Sequence, residues 1–190
     1  MRIRSIVMLL TLTGACATSS GGGGRSGMAY GENAQADYEH ALLAFRKGNC
    51  LDAEPEFRAV RRKYPYSRYA ALAELRVADC KMMQDEWAEA VTAYRQFVRF
   101  RPSHSQIPYA RFRIAEAHFQ QIPSEWLLSP PSHERDQQPT QEALRQLRRY
   151  VLDFPEAERV GEARQMIEKA LRILADRKAK GKIVLTTGNG

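Results

Sequence analysis

The sequence predicts an all-α fold, a solenoid of stacked helical hairpins, and three observations carry that prediction. Apolar residues recur at helical spacing along most of the chain from Tyr38 to Leu174. A pattern repeats: Gly48, Ala53, Phe57 and Pro65 return 37 residues later as Asp85, Ala90, Tyr94 and Pro102. A third copy, Ala143, Leu147 and Pro155, keeps the internal spacing of Ala90, Tyr94 and Pro102. Self-similarity at a fixed period marks units that bury their apolar faces only by stacking on one another.

The start of the chain reads as an address. Met1-Arg2-Ile3-Arg4 is a positive n-region, Ile6 to Leu12 a short apolar core, and Thr13-Gly14-Ala15 a small-residue cleavage zone. Residues 1–15 therefore read as a lipoprotein signal peptide, with Ala15 the small residue before Cys16, the expected lipidation site. Thr13 stands where a lipobox usually has leucine, and Leu12 is displaced by one. An ordinary secretory cleavage or a buried thiol is the alternative. Ala17 rather than an aspartate follows the cysteine, which suits transport to the outer membrane. Residues 16–33 then read as a lipidated flexible tether. Gly21 to Gly24 are a spacer and no phosphate loop, since no strand precedes them and no Gly-Lys-Ser/Thr follows.

The first repeat is placed at about residues 34–66. In "DYEHALLAFRKGNC", Tyr38, Ala41, Leu42 and Phe45 share one helix face and Gly48 stops it. In "LDAEPEFRAVRRKYP", Ala53, Phe57 and Val60 share a face, Pro55 falls in the first turn and Pro65 terminates. The second repeat, 68–103, pairs "YAALAELRVADCKMM" with "WAEAVTAYRQFVRFRP", whose apolar side is Ala90, Tyr94, Phe97 and Val98. The third, 106–156, contains a loop at 122–139 in which Trp126, Leu127 and Leu128 seek burial. An extra helix at 159–177 carries the stripe Ala163, Met166, Ile167, Ala170, Leu171 and Leu174, and either caps the stack or opens a fourth repeat. Residues 178–190 read as a disordered tail, strand-like in composition but with no partner strand.

Paired helices with small residues at the crossings (Ala41, Ala53, Ala78, Ala90, Ala143) and a terminal proline are of the tetratricopeptide type. The concave face of such a superhelix typically binds extended or helical peptides.

Composition excludes several function classes. Of 190 residues, 44% are hydrophobic and 27% charged, and no run reaches the roughly 18 apolar residues of a membrane span. The net charge of +7 is spread over helices with glutamates between the basic residues, which argues against nucleic acid. His40, His104, His118 and His133 show no metal spacing, and no G-x-S-x-G or C-x-x-C is present. No catalytic residue, metal site or cofactor is predicted beyond the covalent lipid on Cys16. Cys50 starts the second helix of one hairpin and Cys80 lies late in the next, so antiparallel stacking could bring them together. They are either a disulfide, in an oxidising compartment, or two buried free thiols.

Three phrases carry a family resemblance: "GNCLDAEPEFRAVRRKYPYSRYA", "FVRFRPSHSQIPYARFRIAEAHFQQIP" and "SPPSHERDQQPTQEALRQLRRYVLDFPEAE". From about Tyr38 to Arg177 the chain resembles the BamD family, the tetratricopeptide lipoproteins of the outer-membrane β-barrel assembly (Bam) machine. The resemblance implies a non-catalytic scaffold, lipid-anchored to the outer membrane on its periplasmic face. Its implied partners are the barrel-forming subunit, companion lipoproteins and unfolded outer-membrane proteins. Signals that end in an aromatic residue and a carboxylate suit a groove of aromatic and basic side chains. The candidates are Tyr64, Tyr66, Arg68, Tyr69, Arg76, Arg99, His104 and Tyr109. The family has about five repeats, whereas three and a helix are visible here, and "KAKGKIVLTTGNG" does not resemble the expected continuation. The alternative is another outer-membrane-anchored tetratricopeptide adaptor, coordinating cell-wall or pilus assembly, in which the "ERDQ" loop would be absent.

Overall fold

The computed structural model describes residues 23–123 and 137–187, with side chains over 28–123 and 137–176. Among these residues the chain forms seven α-helices and no strand. They are α1 (Gly23–Arg46), α2 (Cys50–Lys63), α3 (Arg68–Met83), α4 (Trp87–Phe100), α5 (Ile107–Gln120), α6 (Gln138–Asp153) and α7 (Val160–Thr187). Each helix packs on the next, α1 also touches α3, and α5 also touches α7. The odd-numbered helices thus form the inner layer of a hairpin stack and the even-numbered ones its outer layer.

The core is segmented by repeat, as a solenoid requires. Tyr38 and Ala41 of α1 meet Phe57 and Val60 of α2 and Ala73 of α3. Leu75 and Ala78 meet Tyr94 and Phe97 of α4 and Ile114 of α5. Phe112 meets Leu147 and Tyr150 of α6 and Ala163 of α7. Ala41, Ala53, Ala78, Ala90 and Ala143 have no exposed surface, so the helices cross where side chains are smallest.

Local chemistry sets the helix starts. The side chain of Asn49 accepts from the Asp52 N–H, and that of Ser67 from the Ala70 N–H. Between the helices of the first two hairpins the chain turns through left-handed backbone, at Gly48 (φ 76°) and at Asp85 (φ 61°). These are the same repeat position, and only the first has the residue that adopts it without steric cost. Asp85→Gly is expected to stabilise the chain by about 0.5–1 kcal/mol, seen as a higher urea midpoint at unchanged slope. Asp85→Ala, lacking the side-chain oxygen that helps aspartate tolerate this conformation, lowers the midpoint.

Several expectations are corrected. The tether was expected to reach residue 33, but α1 begins at Gly23. Tyr30, Ala34, Tyr38 and Ala41 extend one helical face; Ala34 is fully buried and Tyr30 packs edge-on against Tyr64, with ring centroids 5.2 Å apart. The expected disordered tail at 178–190 is helical through Thr187. Extending an established helix is far easier than nucleating one. Pro55 lies in the second turn of α2, not the first, and the carbonyl it leaves unpaired belongs to Leu51, which is exposed. Within the 122–139 insertion, α6 already starts at Gln138, with Pro139 in its first turn. Trp126, Leu127, Leu128, the leader and Cys16 lie outside the described residues.

Candidate peptide-binding inner face

The inner layer carries a continuous strip of aromatic and basic side chains. Tyr69, on the first turn of α3, packs against Tyr38 of α1 with centroids 5.5 Å apart. The Arg68 guanidinium lies 4.9 Å from the centre of the Tyr69 ring and donates to its hydroxyl at 2.7 Å. Two turns further along α3, the Arg76 guanidinium sits between the rings of Phe45 (5.6 Å) and Tyr109 (5.8 Å). Cation–π contacts of this kind hold a guanidinium flat and in place. Three candidates, Tyr69, Arg76 and Tyr109, are thereby brought together from α3 and α5, with Arg68 at the end of the strip.

A buried carboxylate organises the strip from below. Asp79 is 2% exposed and receives Arg76 Nη1 at 2.5 Å on Oδ2. On Oδ1 it accepts from the Tyr94 hydroxyl and, at 2.6 Å, from the Tyr109 hydroxyl, with Arg113 Nε at 3.8 Å. Arg113 also donates to Tyr94 Oη at 3.2 Å and to Glu116 at 2.6 Å. The network ties α3, α4 and α5 together, and leaves Arg76 Nε, buried beside it, without a hydrogen-bond partner. Burial, reinforced by the Asp79 charge, pushes the Tyr109 hydroxyl up to about 12 and the Tyr94 hydroxyl higher still, so both remain donors. Burial alone would lower the pKa of Arg76, but the Asp79 charge together with Tyr109 and Tyr38 outweighs it and the net shift is upward.

The remaining candidates fall elsewhere. Tyr64 ends α2, donates to Asp37 at 3.1 Å and packs on Tyr30. Tyr66, 96% exposed, stands at the tip of the α2–α3 connector. Arg99 is exposed on α4, over Phe100 of the same helix. His104 accepts from the Gln106 N–H through Nδ1 and packs edge-on against Phe97, a part in the α4–α5 turn and not in the strip. Asp79 and Arg113 are the site residues that sequence reasoning missed.

The candidate disulfide is not formed. Cys50 and Cys80 are both buried free thiols in the first cluster. Cys50 Sγ donates instead to Met83 Sδ at 3.7 Å. Burial, then the neighbouring Cys50 thiol, drives the Cys80 pKa up, which keeps it protonated and unreactive. Among the described residues no group of three or more His, Cys, Asp or Glu is placed to hold a metal ion, and no helix is long and apolar enough to cross a membrane.

The sequence is similar to known proteins. A family model described as "YfiO: Outer membrane lipoprotein" matches residues 31–180. An "Outer membrane protein assembly factor BamD" of Caulobacter vibrioides is 30% identical over 122 residues, covering 64% of this chain and 37% of that protein. A protein with the same title in Xylella fastidiosa strain 9a5c is 32% identical over 72 residues, covering 38% of this chain and 25% of that protein. The match thus spans well under half of either relative's length. With the family model running from α1 into α7 and both relatives bearing the BamD title, the chain belongs to the YfiO/BamD family of outer membrane lipoproteins.

Proposed function

We propose that the chain is a non-catalytic scaffold of outer-membrane β-barrel assembly, held at the periplasmic face of the outer membrane by a lipid on Cys16. On this reading it binds extended segments of Bam subunits or of unfolded barrel proteins along its inner face. Membership of a family whose relatives are titled outer membrane protein assembly factors is the observation that carries it. The Arg68–Tyr69–Arg76–Tyr109 strip supplies matching chemistry: aromatic faces for an apolar side chain, guanidinium groups for a terminal carboxylate. Arg76 is already committed to Asp79, so exposed Arg68 is the cleaner residue to test.

The test is fluorescence anisotropy with a synthetic peptide of alternating polarity ending in Phe with a free carboxylate. Arg68→Glu is expected to weaken binding about tenfold, about 1.4 kcal/mol, and amidation of the peptide to weaken it similarly. Equal affinity for the acid and the amide, unchanged by Arg68→Glu, would exclude carboxylate recognition on this strip.

A further inference from the structure

Both cysteines among the described residues lie in one place, and a methionine joins them. Cys50 opens α2, while Cys80 and Met83 stand three residues apart at the end of α3, on one face of that helix. Cys50 is 4% exposed and Cys80 has no exposed surface, and both pack in the cluster of α1, α2 and α3 as free thiols. Cys50 Sγ stands 3.7 Å from Met83 Sδ. Cys80 is close enough to Cys50 for that thiol to add to the rise in its pKa. The repeat itself does not call for sulfur here. One unit further on, the equivalent residues are Trp87, Ala117 and Gln120, and in the third unit Thr140, Ala170 and Ile173. Three sulfur side chains thus converge from two helices at positions where neither of the other units has one.

The donor set selects the ion. Sulfur ligands about 2.3 Å from one ion in a trigonal plane stand about 4 Å from each other. The 3.7 Å edge between Cys50 and Met83 is already close to that spacing. Among the described residues no third Cys, His, Asp or Glu groups with the two thiols, so the tetrahedral set that zinc takes is missing. Thiolate with thioether is the set that selects Cu(I). Burial, the Cys50 thiol and the charges of Glu54 and Asp79 hold Cys80 protonated in the free chain. A cation therefore enters only if its bond to sulfur outweighs the cost of deprotonation, which a soft ion achieves and a hard one does not. Met83, 49% exposed, gives the ion its way in. We propose that Cys50, Cys80 and Met83 form a three-sulfur site for Cu(I). On binding, the two thiol protons leave to solvent, two copper–thiolate bonds and one copper–thioether bond form, and copper keeps its oxidation state. The site does not rest on the reading proposed for the inner face.

The test uses the full chain carrying Cys16→Ser, which leaves Cys50 and Cys80 as its only thiols. Cu(I) is titrated in without oxygen, in competition with bicinchoninate, a chelator coloured by Cu(I). The chain is expected to withdraw one Cu(I) and to release two protons into weakly buffered solution. X-ray absorption of that complex is expected to show three sulfur neighbours at about 2.3 Å and no lighter ligand. Cys50→Ala is expected to abolish the withdrawal. Met83→Leu, a swap of similar volume at a half-exposed position, is expected to leave the circular dichroism spectrum unchanged. It should weaken binding at least about tenfold and leave two sulfur neighbours in place of three. Copper held as tightly by the Met83 or the Cys50 variant as by the parent chain overturns the proposal. So does uptake without proton release, a nitrogen or oxygen neighbour in the absorption spectrum, or no withdrawal at all.

Discussion

Replacing Asp79 by leucine is expected to cost about 3–5 kcal/mol of stability, the cost of removing one member of a buried charge cluster. The loss comes less from the attraction given up than from what is left behind. Two guanidinium groups, of Arg76 and Arg113, remain part-buried without their shared counter-ion, and the hydroxyls of Tyr94 and Tyr109 lose their acceptor. Asp79→Asn keeps an acceptor for the hydroxyls but not the charge, and should fall between wild type and the leucine variant. Tyr94→Phe removes one donor and should cost about 1–2 kcal/mol. Because the two residues share one bond, Asp79→Leu combined with Tyr94→Phe should cost less than the two losses added. Thermal melts followed by circular dichroism read all four, at about 2–4 °C per kcal/mol for a chain of this size. Additive losses would show that the network is a set of independent contacts. The functional consequence is positional: without Asp79, Arg76 loses the partner that fixes it between Phe45 and Tyr109, and the inner strip loses its central cation.

Periodicity made the stack legible, and long-range convergence made the site only partly so. Ala53, Phe57 and Val60, and again Ala90, Tyr94 and Phe97, announce their buried faces because helix spacing and repeat spacing agree. The start of α1 was hidden by composition: glycines suggested a tether, although Tyr30 and Ala34 continue the face of Tyr38 and Ala41. Residue type singled out Arg76, Tyr69 and Tyr109, and set beside them Arg99 and His104, which lie on α4 and in a turn. Asp79 needed three helices to meet before its role existed. Two signals pointed to it all the same. A carboxylate interrupts the apolar run Ala78-Asp79-Cys80, and the second repeat has Tyr94 where the first has Phe57 and the third Leu147. A hydroxyl added at a core position demands an acceptor, and Asp79 is that acceptor. For the cysteines, repeat spacing predicted proximity, but a disulfide needs a specific sulfur geometry that proximity alone does not supply.

Phe57→Ala is expected to have an effect of similar size, confined to a different place. Phe57 has no exposed surface and packs between Tyr38 (centroids 5.5 Å apart) and Phe45 (6.0 Å). Truncating a buried phenylalanine costs about 3–5 kcal/mol through lost transfer energy and a residual cavity. In a stack of units that touch only their neighbours, that loss stays with the unit that suffers it. Phe57 serves the cluster of α1, α2 and α3, whereas α5, α6 and α7 share a separate one built on Phe112 and Leu147. Hydrogen exchange should therefore accelerate in α1 and α2 by orders of magnitude while α5 to α7 keep their protection. Asp79→Leu, at the junction of α3, α4 and α5, should instead weaken protection across the middle of the stack. Uniform acceleration in the Phe57 variant would mean that the chain unfolds as one cooperative block. Local loosening has a consequence for binding, because Tyr69 leans on Tyr38 and carries Arg68. The Phe57 variant should then lose affinity for the carboxylate-ended peptide while the cluster built on Phe112 and Leu147 keeps its protection, so that binding is lost without unfolding of the last hairpin.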